Sequence, residues 1–181
     1  MVESGESKKN QDPLDFVKAL DQTTAIRILL QLCQEKAIAE QIIDMAKVTL
    51  SEVSAQEIAE EVFESLNSIL VEDLWDNSGK TRYGYEDPAD VAFEMIETEA
   101  DEYVQEMLKY RQLGMKREEK AYCQGILEGI LKYGNEGTND FHDWAPDDPY
   151  TIADNIFQEW KTHNTEEDIK DIQAIYTSYF G

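Results

Sequence analysis

The residues that most suggest chemistry are Ser78-Gly79-Lys80-Thr81, which end like a phosphate-binding P-loop. In that motif a glycine-rich loop holds phosphate groups with its backbone N–H groups, and the lysine reaches the terminal phosphates. The full motif needs a glycine five positions before Gly79, where Leu74 stands instead. A calcium-binding loop with Gly79 as its sixth residue would need carboxylates at positions 74 and 85, which are occupied by Leu and Tyr. We therefore interpret the stretch as a loop between helices and predict no cofactor.

The histidines and the paired acids are the other candidates for catalysis. His142 lies in an acidic loop between Asp140 and Asp143, where an imidazole and carboxylates could hold a metal or transfer a proton. A single histidine in such a loop is more often an ordinary surface residue. Neighbouring acids at 60–61, 118–119 and 147–148 are expected by chance in a chain with 39 acids among 181 residues, and we expect them to be solvated.

No residue is therefore nominated as catalytic, cofactor-binding or metal-ligating, and we predict a protein that is not an enzyme. A small helical enzyme or a metal-binding carboxylate protein that uses His142 is the alternative.

Two segments stand out because they combine aromatic with basic or polar residues. In residues 51–106, Lys80 and Arg82 are the only basic residues against 17 acids, a local charge of −15. Aromatic and arginine side chains dominate the hot spots of protein interfaces. The candidate partner contacts are Trp75, Lys80, Arg82, Tyr83, Tyr85, His142 and Trp144. The alternative is that the aromatic side chains fold inward and seal the ends of helix pairs, while the basic ones form local salt bridges.

The net charge of −23 limits the classes of partner. Such a surface repels phosphate backbones and anionic lipids, which disfavours direct binding to nucleic acid or to a membrane. A basic surface on another protein is the favoured partner, and an acidic mimic of nucleic acid that binds a basic protein is an alternative. The simplest interpretation of the charge is solubility through self-repulsion.

Cysteine usage and the first residues indicate a compartment. Cys33 and Cys123 lie far apart in apolar helical patterns, so we expect buried free thiols in a reducing cytoplasm.

Met1–Gln11 is polar and aperiodic, which predicts a disordered tail and no signal peptide. No apolar run approaches the ~18 residues of a membrane span. Residues 12–181 are predicted to form one helical domain, with a candidate subdivision near residues 74–88.

Helix signals fill most of this domain. Asp-Pro pairs at residues 12–13 and 87–88 and the capping box Ser54–Glu57 each predict a helix start. Thr24–Gln34 is apolar on nearly all sides, which predicts a central buried helix that pairs with Ala37–Val48 as an αα-hairpin. Gly125 and Gly129 weaken a later helix, and the close approach of a neighbouring helix would compensate. These patterns predict an all-α protein with about seven or eight helices in an antiparallel helix-hairpin array.

The hairpin Tyr103–Tyr133, with its turn Leu113-Gly114-Met115, resembles tetratricopeptide-type helical repeats. Thr24–Val48 and the helices after it are similar to the helical regions that accompany SWIM-type zinc fingers, whose Cys/His zinc motif is absent here. The resemblance implies a TPR- or HEAT-like superhelix, or an irregular bundle, that binds other proteins. We therefore predict a helical scaffold or adaptor that mediates protein–protein interaction through an acidic surface and aromatic-containing loops.

Overall fold

In the computed structural model, which describes residues 12–80, 82 and 84–179, the protein is all-α and 77% helical, as predicted. Within these residues the nine helices are α1 (Pro13–Lys18), α2 (Gln22–Leu32), α3 (Lys36–Leu50), α4 (Ala55–Asn67), α5 (Val71–Asn77), α6 (Pro88–Gln112), α7 (Lys116–Glu136), α8 (Asp148–Lys161) and α9 (Glu166–Ser178). A two-residue antiparallel ladder pairs β1 (Gly79–Lys80) with β2 (Tyr85–Glu86), and His142–Trp144 forms a 3-10 helix. The predicted disordered tail, Met1–Gln11, lies outside the described residues.

The predicted helix starts are confirmed by their capping hydrogen bonds. Asp12 Oδ1 accepts a hydrogen bond from the backbone N–H of Leu14 at 2.9 Å, and Asp87 Oδ1 accepts one from Ala89 at the same distance. The hydroxyl of Ser54 accepts the N–H of the third residue of α4 at 3.3 Å. Each cap satisfies a backbone donor that has no partner within its own helix.

The chain divides by its internal contacts into two compact units, Met1–Leu50 and Ser51–Gly181. The division falls between α3 and α4, and the candidate subdivision near residues 74–88 stays a prediction. In Ser51–Gly181 the helices form an antiparallel bundle around α7, which packs against α4, α6, α8 and α9.

The core of Ser51–Gly181 depends on the close approach of α4 and α7. A Cβ atom added to Gly125 would lie 2.7 Å from the carbonyl oxygen of Ala55, and one added to Gly129 would lie 2.6 Å from Cβ of Val62. The compensation predicted for the two glycines is thus confirmed. Around this contact the large side chains with less than 2% exposure include Leu66, Leu74, Ile96, Met107, Ile126, Ile130, Phe157 and Trp160.

The unit Met1–Leu50 differs from the sequence prediction. None of the described residues of α1, α2 and α3 is buried, so the prediction of a central buried helix at Thr24–Gln34 is wrong. Leu30, for example, is 65% exposed, and Cys33 is only half-buried. The helix pairs that pack closely within the described chain do not include α2 with α3, so the predicted αα-hairpin is not formed. A helix that is apolar on all sides is expected to pack against other elements, but its sequence does not identify which elements those are.

A second correction concerns the acids at 118–119, which were expected to be solvated. Glu119 is 1% exposed and Glu118 8%. Arg111 Nε donates a hydrogen bond to Glu119 Oε1 at 2.8 Å, and Asn164 Nδ2 donates one to the same oxygen at 3.4 Å. The ion pair joins the end of α6, the start of α7 and the link between α8 and α9. Carboxylates in the first turn of α7 also gain from the positive end of the helix dipole.

Candidate partner-contact site

Two of the predicted contact residues, Trp75 and Trp144, form a pair on the surface of Ser51–Gly181. Their ring centroids are 4.7 Å apart and their planes meet at 86°, the edge-to-face arrangement that aromatic rings prefer. Trp75 is 45% exposed and Trp144 51%. The interpretation that these aromatic residues fold inward is therefore wrong for both.

Trp75 is presented by a helix instead of the irregular segment that the sequence predicted. It lies in α5, directly after Leu74, which has no exposed surface. Successive residues of a helix point about 100° apart, so the burial of Leu74 turns its neighbour Trp75 toward solvent. The acids Glu72 and Asp73 lie in the first turn of α5 and stabilise its positive end.

Asn139 joins the two segments that carry the tryptophans. Its Nδ2 donates hydrogen bonds to the carbonyl oxygen of Leu66, near the end of α4, at 3.1 Å and to that of Ile69, in the link between α4 and α5, at 3.0 Å. Its Oδ1 accepts the hydroxyl of Tyr133 at 3.0 Å and the backbone N–H of His142 at 3.1 Å, at the start of the 3-10 helix that ends in Trp144. Sequence analysis missed Asn139, whose only signal was an amide side chain in a segment rich in turn-forming residues.

His142, another predicted contact residue, supports the 3-10 helix. Its ring packs edge-to-face on Tyr133, with centroids 5.2 Å apart, and its Nε2 lies 3.1 Å from the carbonyl oxygen of Gly134. Burial raises the pKa of Tyr133 to about 12, so its hydroxyl keeps its proton and donates to Asn139 even at alkaline pH, where a free tyrosine would ionise. His142 is half-buried, and its role as a partner contact stays a prediction. Among the described residues, no three His, Cys, Asp or Glu side chains are grouped as metal ligands.

The remaining predicted contacts lie at the β1–β2 ladder. Lys80 pairs with Tyr85 across it, and both are exposed, Tyr85 by 70%. Arg82 is also exposed, and neither it nor Lys80 forms a salt bridge with another residue of the described ranges. Tyr83 lies outside the described residues. Among the described residues of the predicted set, the structure thus brings Trp75 together with Trp144 and Lys80 together with Tyr85, while His142 supports the 3-10 helix that ends in Trp144.

An acidic groove of about 570 Å³ lies between α5 and α6. Asp73 and Asn77 line it from α5, and because each is two residues from Trp75, the groove and the tryptophan pair lie on opposite sides of that helix. Three apolar side chains line the groove, Ile69, Val91 and Met95, together with four acidic ones, Asp73, Glu86, Glu94 and Glu99. An anionic ligand would be repelled from it.

Comparison with known proteins identifies no relative: no family model matches the chain, and neither a curated protein nor a solved structure matches it significantly. The resemblances to tetratricopeptide repeats and to SWIM-associated helical regions therefore stay predictions. Within the described ranges, no helix is both long enough and apolar enough to cross a membrane.

Proposed function

We propose that this protein binds a basic segment of another protein and that a Lys or Arg side chain of the partner packs on Trp75 and Trp144. The observation that carries the proposal is the half-exposed, edge-to-face pair that these residues form. Tryptophan is enriched among the few interface residues that supply most of the binding free energy.

The charge around the pair supports a cationic partner. Asp76 follows Trp75, Asp143 precedes Trp144, and both carboxylates are exposed. The unit Ser51–Gly181 carries 31 of the 39 acids and 10 of the 16 basic residues, a net charge of −21. An indole face attracts a guanidinium or ammonium group, and a strongly negative surface speeds the approach of a basic partner.

Asn139 supports the proposal because its hydrogen bonds tie together the two segments that carry the tryptophans before a partner arrives. It bonds both to the link before α5 and to the start of the 3-10 helix. A preorganised site loses less conformational entropy on binding than a flexible one.

The test is a titration with synthetic peptides rich in lysine or arginine, followed by tryptophan fluorescence in a Trp160→Phe background. The chain has three tryptophans, so once Trp160 is replaced the emission comes from Trp75 and Trp144 alone. We expect basic peptides to change this emission and acidic peptides to leave it unchanged. Trp75→Ala and Trp144→Ala, studied by calorimetry in the wild-type background, should each weaken binding by about tenfold or more, as hot-spot residues do.

Two control variants separate a specific site from general attraction to an acidic surface. Tyr85→Ala removes an aromatic side chain that is even more exposed but does not belong to the tryptophan pair, and it should leave the affinity within about twofold. Arg82→Glu makes the surface more acidic and should bind a basic peptide equally or more tightly. If folded tryptophan variants bind as well as the wild type, the tryptophan pair is not the binding site and the proposal fails.

Asn139→Asp tests the positioning of the pair. An aspartate at this position would place a carboxylate oxygen against the carbonyls of Leu66 and Ile69 and lose two donated hydrogen bonds. We expect a weaker exciton signal from the two indoles in circular dichroism, together with weaker peptide binding. A normal exciton signal with normal binding would show that Asn139 does not position the pair.

A further inference from the structure

We infer that the helices of Met1–Leu50 form an interface with the same helices of a second copy of this chain. The inference rests on the distribution of exposed apolar side chains. Eleven of the sixteen large hydrophobic residues that are exposed in the described chain lie in this unit, namely Leu14, Phe16, Val17, Ile26, Ile28, Leu29, Leu30, Leu32, Ile43, Met45 and Val48.

The area of this apolar surface is sufficient for a stable dimer. The eleven side chains are 40–72% exposed. Together they offer on the order of 1,000 Å² per copy, against roughly 800 Å² per partner in a standard stable interface. This sum counts all sides of three helices, so a two-fold interface of standard size would use most but not all of it.

The charge of the unit favours a second copy over the basic partner of the proposed function. Residues 1–50 contain eight acids and six basic residues, a net charge of −2, and Arg27 is the one charged residue within α2. With so small a net charge, this surface neither attracts a basic segment strongly nor strongly repels the same surface of a second copy. The unit Ser51–Gly181, at −21, would repel its counterpart in another copy. Two copies can therefore approach most easily through Met1–Leu50.

The packing of the unit also fits association. Neither α2 nor α3 buries a residue, and the two are not among the closely packed helix pairs of the described chain. In a two-fold dimer the same apolar surface meets itself, so the helices of both copies can form one shared core. Homodimer interfaces of this kind are more apolar than the rest of a protein surface.

The experiment is sedimentation equilibrium and light scattering on the full chain over a range of concentrations. We expect a reversible dimer of twice the 20.8 kDa chain mass. Leu30→Asp in α2 and Met45→Asp in α3, at residues 65% and 72% exposed, should each weaken the dimer at least tenfold, and the double variant should be monomeric. Leu113→Asp, at an exposed leucine of Ser51–Gly181, and Trp75→Ala should leave the dimer unchanged.

Salt supplies a second readout that separates this inference from the proposed function. Added salt should tighten an apolar dimer of two acidic chains, because it screens their repulsion, whereas it should weaken the binding of a basic peptide. A wild-type chain that stays monomeric at every concentration would overturn the inference. So would a dimer that persists in the double variant, or one that is lost in Trp75→Ala.

Discussion

The two units of this protein distribute apolar and charged residues in opposite ways. Ser51–Gly181 carries a charge of −21 and yet contains every residue that the structure describes as buried. Met1–Leu50 is nearly neutral and contains the most apolar helix of the chain, and none of its described residues is buried. Apolar content alone therefore does not create a core. What distinguishes Ser51–Gly181 is that its helices cover each other's apolar faces.

Specific residues make this mutual cover possible. Gly125 and Gly129 let α4 approach α7, and Arg111 neutralises Glu119 where α6, α7 and α8 meet. Met1–Leu50 has no glycine between residues 12 and 50, and its ion pair Lys36–Glu40 lies on one helix in solvent. Four predictions test this contrast, and each compares a change in one unit with a matched change in the other.

The largest contrast is expected between the two ion pairs. Glu119→Ala leaves Arg111 without its buried partner, which typically costs ~3–5 kcal/mol of unfolding free energy. Glu40→Ala breaks the pair with Lys36, whose side chains are 90% and 65% exposed, and should change stability by less than about 1 kcal/mol. Denaturant unfolding followed by circular dichroism measures both. Equal losses of unfolding free energy in the two variants would mean that the Arg111–Glu119 pair stabilises the fold no more than an exposed pair does.

Truncation of a leucine should give the next largest difference. Leu66 has no exposed surface, and Leu66→Ala should cost ~2–5 kcal/mol through lost burial and a cavity. Leu30→Ala, at a residue 65% exposed, should stay within about 0.5 kcal/mol at a protein concentration low enough to exclude association. The same unfolding experiment tests the pair. A large cost for Leu30→Ala in the monomer would show that the leucine is covered within its own chain.

Gly129→Ala should have a smaller effect. The added Cβ would lie 2.6 Å from Cβ of Val62 and 2.7 Å from the carbonyl oxygen of Ala59. Overpacking of this kind costs ~1–3 kcal/mol, and the better helix propensity of alanine returns ~1 kcal/mol. We expect a net loss of stability, whereas Gln41→Ala on the exposed surface of α3 should be neutral or slightly stabilising. A stabilising Gly129→Ala would mean that α4 and α7 are not in close contact.

The subtlest difference concerns the two thiols. Cys123 is fully buried, and burial, with a smaller contribution from Glu119, raises the pKa of its thiol far above the usual value. Because the thiolate is the reactive form, native Cys123 should resist alkylation at neutral pH until the protein unfolds. Cys33 is half-buried in the other unit and should react first. Mass spectrometry of the alkylated peptides measures the order, and equal rates would contradict the difference in burial.

Local features of the fold could be predicted well from the sequence. The all-α class, the caps at Asp12, Ser54 and Asp87 and the role of Gly125 and Gly129 were all predicted correctly. Each depends on a few neighbouring residues, or on a single requirement such as space for a nearby helix. Burial was predicted less well, because an acid such as Glu119 is buried only when Arg111, on the preceding helix, pairs with it.

The candidate site likewise combines features that the sequence predicted with features that it did not. The sequence singled out Trp75 and Trp144 as candidate partner contacts, because tryptophan among acidic and polar residues is conspicuous, but it left open the alternative that both fold inward. Their contact joins residues 69 positions apart, and Asn139, which fixes both segments, bonds to carbonyls about 70 positions away. No local pattern contains such information.

By itself, the sequence determined that this chain is helical, where most helices begin and how strongly acidic its surface is. These properties follow from side-chain capping, apolar periodicity and composition, which act within a few residues or over the whole chain at once. Only the tertiary structure decided which apolar faces are covered, which acid is buried and which aromatic residues meet at the surface. Those outcomes depend on contacts between distant segments, which packing selects and periodicity cannot specify.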